Sequence, residues 1–345
     1  MLDYEIVIAT RNRADALAAS IPLFLKQSRL AKQIIVVDSS TDHGAIVRLC
    51  AKLAAKAPIP IVVRQSDQAS LVRQRNIGLD MVREDVVAFP DDDSLWFSDT
   101  AAHLMSVYDR DTSGLIGGVT AVEVARSPLQ NNTTIPQRKV KWIHIPNVVM
   151  MRNVIERQVF PQPFNMYGQQ KIEELSAKAR AAGLRMTYVP TMGGFRMSFR
   201  TSVLRRHRFD ETLGSRVGYS QHEDKDVCLR ILKGGNLLAA ADDARVFHNA
   251  HPGMRANGFQ YGFCQILNYM YICRKVFDER DAAFAMVQRY CAYKGFLYRL
   301  RRTSPYHRDV YQGAVAALAQ YYIIRRTAPV ELAHVYGDIC DRLLP

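Results

Sequence analysis

Three adjacent carboxylates, Asp91, Asp92 and Asp93, stand directly behind an apolar run, Val86–Val87–Ala88–Phe89, and a proline, Pro90. The run has the composition of a short strand buried on both faces. Proline has no amide hydrogen to give to a sheet ladder, so the strand is expected to end at Pro90. Three neighbouring carboxylates repel one another unless a positive charge sits among them, and a hard divalent cation with oxygen ligands is a fitting partner. Ligands of open α/β sheets bind beyond the carboxyl ends of the strands, so a strand followed by acids predicts a metal site. A solvated acidic turn has the same local sequence, and other parts of the chain decide between the two.

A second acid group, Glu223, Asp224 and Asp226, opens a predicted helix with apolar positions Val227, Cys228, Ile231 and Leu232, which Gly234–Gly235 end. The helix dipole stabilises carboxylates at its N-terminus. Capping occupies one or two of them and does not require three. Polar groups also gather where other predicted strands end: Thr10–Arg11–Asn12–Arg13, then Asp38–Ser39–Ser40, with Arg73, Arg75 and Asn76 on the helix that leads into the first acid group. Taken singly, Asp38 reads as a turn or capping residue and the arginines as a solvated helix face. If these ends converge, they make a pocket of carboxylate acceptors, cationic donors and a metal, which suits a nucleotide diphosphate.

The elements that must position these groups follow from periodicity. Residues 4–10, 33–38, 59–64 and 86–89 are apolar strand-like runs, and residues 14–27, 44–56 and 69–83 carry apolar positions at helical spacing. Strands alternating with helices predict an α/β fold with a doubly wound, mostly parallel sheet flanked by helices. The first turn, ATRNRAD, holds no glycine, which excludes the dinucleotide fingerprint, and no GxxxxGK[ST] occurs. Residues 114–124 are expected to form another strand, 169–183 a helix ending near Gly183, and 191–199 a strand with a double glycine, Gly193–Gly194. The stretch 127–165 is rich in proline and contains Trp142, His144 and Phe164; a long irregular segment of this kind is expected to serve as a lid or binding loop on the acceptor side. DARVFHN reads as a short strand before His248, with His251 three residues on.

Composition sets the outer bounds. The chain has 345 residues, 48% hydrophobic and 23% charged, enough for a large core and too balanced for disorder. A net charge of +13 favours anionic partners. No nucleic-acid-binding signature accompanies it, and the acid groups would repel nucleic-acid phosphates, so nucleic acid is not an expected partner. The six cysteines form no CxxC pair and read as buried thiols of a cytosolic protein. No signal peptide is apparent, and no run approaches the about 18 apolar residues of a spanning helix.

The set ATRNR, VVDSSTD, RQRN and FPDDDS resembles the nucleotide-sugar half of family-2 glycosyltransferases of the GT-A fold, which have a T-x-N-R-like segment, a V-D-D-G-S-like segment and a D-x-D. Further on, MGGFRMSFRTSVL and HEDKDVCLR resemble that family's double-glycine segment and its G-E-D-x-D-L-like helix start, with His222 in the usual glycine position. The resemblance covers roughly residues 4–250. It implies an inverting, metal-dependent transferase using Mn2+ or Mg2+, with a nucleotide-diphosphate sugar as donor, UDP-linked by default, and a glycan or lipid-linked acceptor of the kind used in cell-surface polysaccharide synthesis. By position, Asp38 would contact the nucleoside, and Thr10, Arg11, Asn12, Arg13, Arg73, Arg75, Asn76, Asp91 and Asp92 would line the nucleotide-sugar site. Asp91 and Asp93 would form the metal pair, completed by His248. Asp224 would be the catalytic base with Glu223 beside it, and Gly193, Gly194, His222 and Asp226 would support the acceptor side. Ser39 and Ser40 replace the family's usual Asp–Gly, so the base is left open. The competing readings are a non-catalytic nucleotide- or glycan-binding protein on the same fold and a nucleotidyltransferase.

Residues 1–253 are therefore expected to form the catalytic domain, 1–120 its nucleotide-sugar half and 121–253 its acceptor half, with a helical region over 254–345. In that region Phe259, Phe263, Ile266, Met270 and Phe277 share a helical face, and a second stretch with Tyr290, Tyr293, Leu297 and Leu300 runs beside Arg289, Lys294, Arg299, Arg301 and Arg302. Residues 313–326 repeat the pattern. Basic amphipathic helices with aromatics can lie on an anionic membrane surface, and a helical cap on the catalytic domain explains the same pattern. The expected location is cytoplasmic, with peripheral contact at the cytoplasmic membrane face.

Overall fold

The computed structural model describes residues 1–129, 168–214, 221–249, 256–278 and 282–344. The segment 130–167, which holds most of the irregular stretch with Trp142, His144 and Phe164, lies outside the described residues, as does His251. Two compact units are present: 1–129, 168–211 and 223–249 form the first; 212–214, 221–222 and 256–344 form the second.

In the first unit, strands β1 (Tyr4–Thr10), β2 (Ile34–Asp38), β3 (Ile61–Gln65) and β4 (Val86–Pro90) alternate with helices α1 (Ala14–Phe24), α2 (His43–Ala54) and α3 (Leu71–Met81). The strands pair in parallel in the order β3-β2-β1-β4. Alternation along β1 sends Ile6 and Ile8 into one core with Leu17, Ile21 and Phe24, and Val7 into the other with Val72 and Leu79. Helices therefore cover both faces, as the apolar runs predict. Gly78 lets α3 lie close on β1: a Cβ there would sit 2.2 Å from a methyl of Val7. Asp42 caps α2 by accepting the Ala45 amide, and Ser70 caps α3 by accepting that of Arg73.

Register decides where the chemistry gathers. Thr10 pairs with Asp38, and Asp38 with Gln65, so the carboxyl ends of β1, β2 and β3 are level. Pro90 is retained as the last residue of β4, opposite Arg196. Beyond β4 the sheet changes character. β8 (Arg196–Arg200) runs antiparallel to β4 and to β6 (Ile116–Glu123), β6 is parallel to β9 (Leu237–His248), and β5 (Ser94–Trp96) and β7 (Met186–Tyr188) add to β9 antiparallel. The parallel pairing thus runs continuously through the first four strands, and the sheet is mixed beyond them. β8 begins after the double glycine, because Gly193–Gly194 belong to the loop before it. Helices α4 (Thr100–Arg110), α5 (Gly168–Ala181), α6 (Thr201–His207) and α7 (Glu223–Lys233) complete the unit. Gly235, at φ +90°, ends α7, and Gly183, at φ +77°, follows α5.

The second unit contains α8 (Gly258–Val276), α9 (Ala282–Leu300), α10 (Pro305–Leu318), α11 (Tyr321–Arg326) and α12 (Leu332–Leu343). The stretch 313–326 is divided between α10 and α11 rather than forming one helix. Helices α8 and α10 cross at backbone contact: a Cβ on Gly262 would lie 1.9 Å from the Val310 carbonyl oxygen, and one on Gly313 2.0 Å from that of Phe259. The buried Asn268 amide donates to the Gln221 carbonyl at 2.8 Å and accepts from the Tyr336 hydroxyl at 2.8 Å. All six cysteines are free and buried. Among the described residues no helix is long and apolar enough to cross a membrane.

Candidate active site

The turn after β4 is closed by the Ser94 amide on the Asp91 carbonyl at 3.0 Å, and it separates the three aspartates. Asp92 turns inward. Its carboxylate accepts from the Thr10 hydroxyl at 2.7 Å and from Arg13 at 3.1 Å, beside the end of β1. Burial pushes its carboxyl up to about 6, opposed by Thr10 and Arg13. Asp91 and Asp93 turn the other way and meet His248, the last residue of β9. One donor atom from each of the three lies within 4.8 Å of the others.

Asp93 and His248 approach to 3.4 Å, and the Asn249 amide binds the Asp93 carbonyl at 3.0 Å, fixing the end of β9 against the turn. The His248 ring stacks on Phe195 with centroids 4.4 Å apart. Its pKa is raised, first by the bond to Asp93, then by the charges of Asp93 and Asp91. That of Asp91 is raised by burial, and Arg75 pulls it back. Two carboxylates and an imidazole on fixed backbone, drawn together although like charges repel, match the donor set of a divalent cation such as Mn2+ or Mg2+.

Arg75 links this cluster to the second one. The guanidinium is 2% exposed and donates to Asp91 at 2.9 Å, to Glu223 at 3.0 Å and to the Gly194 carbonyl at 3.1 Å. Planar, forked and permanently charged, it can hold two carboxylates at once. Gly194 packs closely at this junction: a Cβ there would stand 3.3 Å from a Glu223 oxygen and 3.5 Å from Arg75. Gly193 closes the same loop, its carbonyl accepting the Arg196 amide at 3.2 Å.

On α7 the helical period sorts the acids. Asp226 is fully buried and held by Arg230 one turn on, which also donates to the carbonyls of His207 and Arg208. Glu223 faces Arg75, and burial followed by the charge of Asp224 pushes its carboxyl up to about 7. Asp224 is half-buried, and its pKa is raised by burial, against the charge of Lys225 and the amides of Lys225 and Gly194. A half-buried carboxylate with a raised pKa can accept a proton. His222, just before the helix, has φ +67°, a backbone region that costs a non-glycine residue about 1–2 kcal/mol. Its ring is held edge-on to Tyr269, centroids 4.4 Å apart.

The remaining sequence candidates fall in different places. Asp38 is fully buried, its oxygens engaged by Ser40 and by His43. Asn12, at φ +55°, ties two loops by giving its amide to the Ser40 hydroxyl and accepting from the Thr41 amide. Arg11 buries its Nε without a hydrogen-bond partner among the described residues. Arg73 and Asn76 are not brought to the acid clusters. Arg73 pairs with Asp67 and Glu211, and Asn76 binds Glu211 and the backbone of Phe209. Arg73 and Arg75 are two apart on a helix, which sends them to different faces. Sequence reasoning missed His43, Phe195 and Gln74, whose buried amide donates to the carbonyls of both Thr10 and Val37. Gln74 and Phe195 lie inside the quoted segments RQRN and MGGFRMSFRTSVL, and His43 stands five residues after the aspartate that ends β2.

Residues 5–200 match the family described as Glycosyl transferase family 2. No curated protein matches the chain. Among solved structures, the chain is similar to the mannosyltransferase PcManGT from Pyrobaculum calidifontis in complex with GDP-Man and Mn2+, at 15% identity and a TM-score of 0.51 over 99% of this chain and 82% of that one. It is similar to S. aureus TarS in complex with UDP-GlcNAc, at 12% identity and a TM-score of 0.55 over 99% and 88%. It is also similar to GalNAc-T7 with UDP, GalNAc and Mn2+, at 13% identity and a TM-score of 0.56 over 100% of this chain and 58% of that one. At these identities the likeness is one of fold.

Proposed function

Because this chain belongs to glycosyl transferase family 2 and is a glycosyltransferase, we propose that it transfers a sugar from a nucleotide-diphosphate donor to a hydroxyl of a glycan or lipid-linked acceptor, with inversion and with a divalent metal. The observation that carries this reading is the joining of two acid clusters by one buried arginine: Asp91 on one side, Glu223 beside Asp224 on the other. The donors bound in the similar structures, GDP-Man and UDP-GlcNAc, and the Mn2+ in two of them support it.

Asp91, Asp93 and His248 would hold the metal, and the imidazole favours Mn2+ over Mg2+. When bound there, the cation supplies Lewis-acid neutralisation of the diphosphate leaving group. Asp224 takes the proton of the acceptor hydroxyl as its oxygen forms a bond to the anomeric carbon and the bond from that carbon to the diphosphate breaks. One base and one direct displacement invert the anomeric centre. Arg75 keeps Asp91 and Glu223 at fixed separation, so the donor and acceptor sides are set relative to each other before substrate arrives. Arg13, paired with Asp92 and within 3.6 Å of Asp93, adds positive charge at the mouth of the cluster.

Thermal melting with UDP, GDP, dTDP and CDP, each with Mn2+, with Mg2+ and with EDTA, tests the donor site. A ligand of the folded state at a hundredfold excess over Kd adds about 2.7 kcal/mol, so one nucleotide should give a large shift that EDTA removes. A flat response to all four refutes the donor reading.

A separate observation supports a location for the acceptor. Phe296, Leu300, Tyr322 and Ile323 are exposed, with Arg299, Arg301, Arg325 and Arg326 next to them in sequence. This supports peripheral contact with an anionic membrane at its cytoplasmic face, where a lipid-linked acceptor of cell-surface polysaccharide synthesis would be met. Flotation with anionic liposomes should be strong at low salt and weak at high salt; no salt-sensitive binding counts against it.

A further inference from the structure

The aspartate that ends β2 has both of its oxygens engaged within the fold. Asp38 is 0% exposed; one oxygen takes the Ser40 amide at 2.9 Å together with the Ser40 hydroxyl, and the other lies 2.7 Å from Nδ1 of His43. The surroundings are braced: the Ser66 amide binds the Asp38 carbonyl, the Ser39 amide binds that of Thr10, and the Ser39 hydroxyl donates to Gln74. His43 has a different status. It is the first residue of α2, its side chain is 26% exposed, and Nε2 makes no hydrogen bond among the described residues. A carboxylate only accepts, so the ring nitrogen that faces Asp38 is the donor, Nδ1–H, and Nε2 is the nitrogen left to accept.

The position of this acceptor suits the far end of a nucleotide. β2 is separated from β4 by β1, and two strand spacings are about 10 Å. The metal-ligand cluster stands at the carboxyl end of β4 and His43 follows that of β2, so a diphosphate at the first leaves the base near the second. Resting on the reading that this site takes a nucleoside diphosphate, we propose that His43 reads the nucleobase through Nε2, with Asp38 as the positioning residue that fixes its tautomer. An acceptor there matches a base with an imino N–H on its pairing edge, as uracil, thymine and guanine have. Cytosine and adenine present a lone pair at that position, so acceptor would face acceptor, and a buried mismatch of this kind weakens binding strongly.

Isothermal titration with Mn2+ present tests this on the full chain with UDP, dTDP, GDP, CDP and ADP. The wild type should bind at least one imino nucleotide about tenfold or more tighter than CDP and ADP. The imino-methylated form of that preferred nucleotide should lose a similar factor. In His43→Gln, whose amide can turn to either face, and in His43→Ala, both ratios should fall toward one. The ratios are read on folded protein, so a purely structural role for His43 would lower stability and leave them unchanged. Variants that retain the wild-type preference, a wild type that prefers CDP or ADP, or a methylated nucleotide that binds as well as its parent would each overturn the assignment while leaving the donor reading intact. No binding of any nucleotide would refute both.

Discussion

The two acid clusters have nearly the same sequence, three carboxylates within three or four positions, and the fold treats them by different rules. After β4 a turn splits Asp91 and Asp93 from Asp92, which is bound to Thr10 and Arg13. On α7 the helical repeat splits Asp224 from Asp226, which is bound to Arg230. In each case one acid is consumed by structure, and its neighbours are left facing the site. The difference lies in what the remaining acids face. The first pair meets an imidazole and forms a donor set for a cation; the second meets a guanidinium and leaves one half-buried carboxylate able to take a proton. Adjacent acids therefore do not share a role, because each backbone conformation points neighbouring side chains in different directions.

Substitutions that remove charge but keep shape sharpen this contrast. The largest effect is expected within the second cluster. Asp224→Asn should lower kcat by about 10²–10⁴-fold, the range of general-base assistance, with nucleotide affinity retained. Asp226→Asn should instead leave Arg230 without its buried partner and cost about 3 kcal/mol of stability, read as a lower melting temperature. If Asp224→Asn turns over normally, the assignment of the base fails.

The first cluster should divide in the same way. Asp93→Asn is expected to abolish the metal-dependent part of the nucleotide-induced melting shift, about 2.7 kcal/mol at a hundredfold excess of ligand. Asp92→Asn should preserve that part and lower only the baseline. Equal responses of the two variants would break the comparison.

Arg75→Lys reaches both clusters at once. An ammonium cannot hold Asp91 and Glu223 in the forked geometry. Losing one charged hydrogen bond costs about 1.5–3 kcal/mol, so kcat/KM should drop about ten- to a hundredfold. Arg73→Lys, at a residue bound to Asp67 and Glu211, should leave kcat/KM within about twofold, since surface pairs contribute about 0–1 kcal/mol.

A further effect is on pH dependence. Glu223 has its carboxyl raised from 4.5 to about 7, chiefly by burial. A group raised in the folded state contributes stability that is fully present below its unfolded pKa and is lost as pH rises through the folded one. Without metal or nucleotide, the Glu223 contribution should therefore decline between about pH 4.5 and 7. Glu223→Gln should flatten that part of the melting profile, and an unchanged slope would assign it to other groups.

How much of this was legible depends on how local the signal is. β1, β2 and β4 could be read because a strand buried on both faces carries an apolar run, as Ile6–Val7–Ile8 and Ile34–Ile35–Val36–Val37 do. β5 and β7 could not be read, because each has three residues and no period to detect. Arg73 and Arg75 look equivalent in the sequence and separate only on a folded helix. His43 carries no motif; its meaning comes from the burial of Asp38, which depends on packing around the end of β2.

The sequence by itself determined the alternation of strands and helices, the two acid groups and the family, because hydrophobic periodicity and short motifs are written in consecutive residues. Only the tertiary structure decided which partner each acid meets, that the sheet turns mixed beyond β4, and that Arg75 joins residues 91 and 223. The physical reason is that the partners and the burial of these side chains come from groups far apart in the chain, and sheet register and helix packing bring those groups within hydrogen-bonding distance.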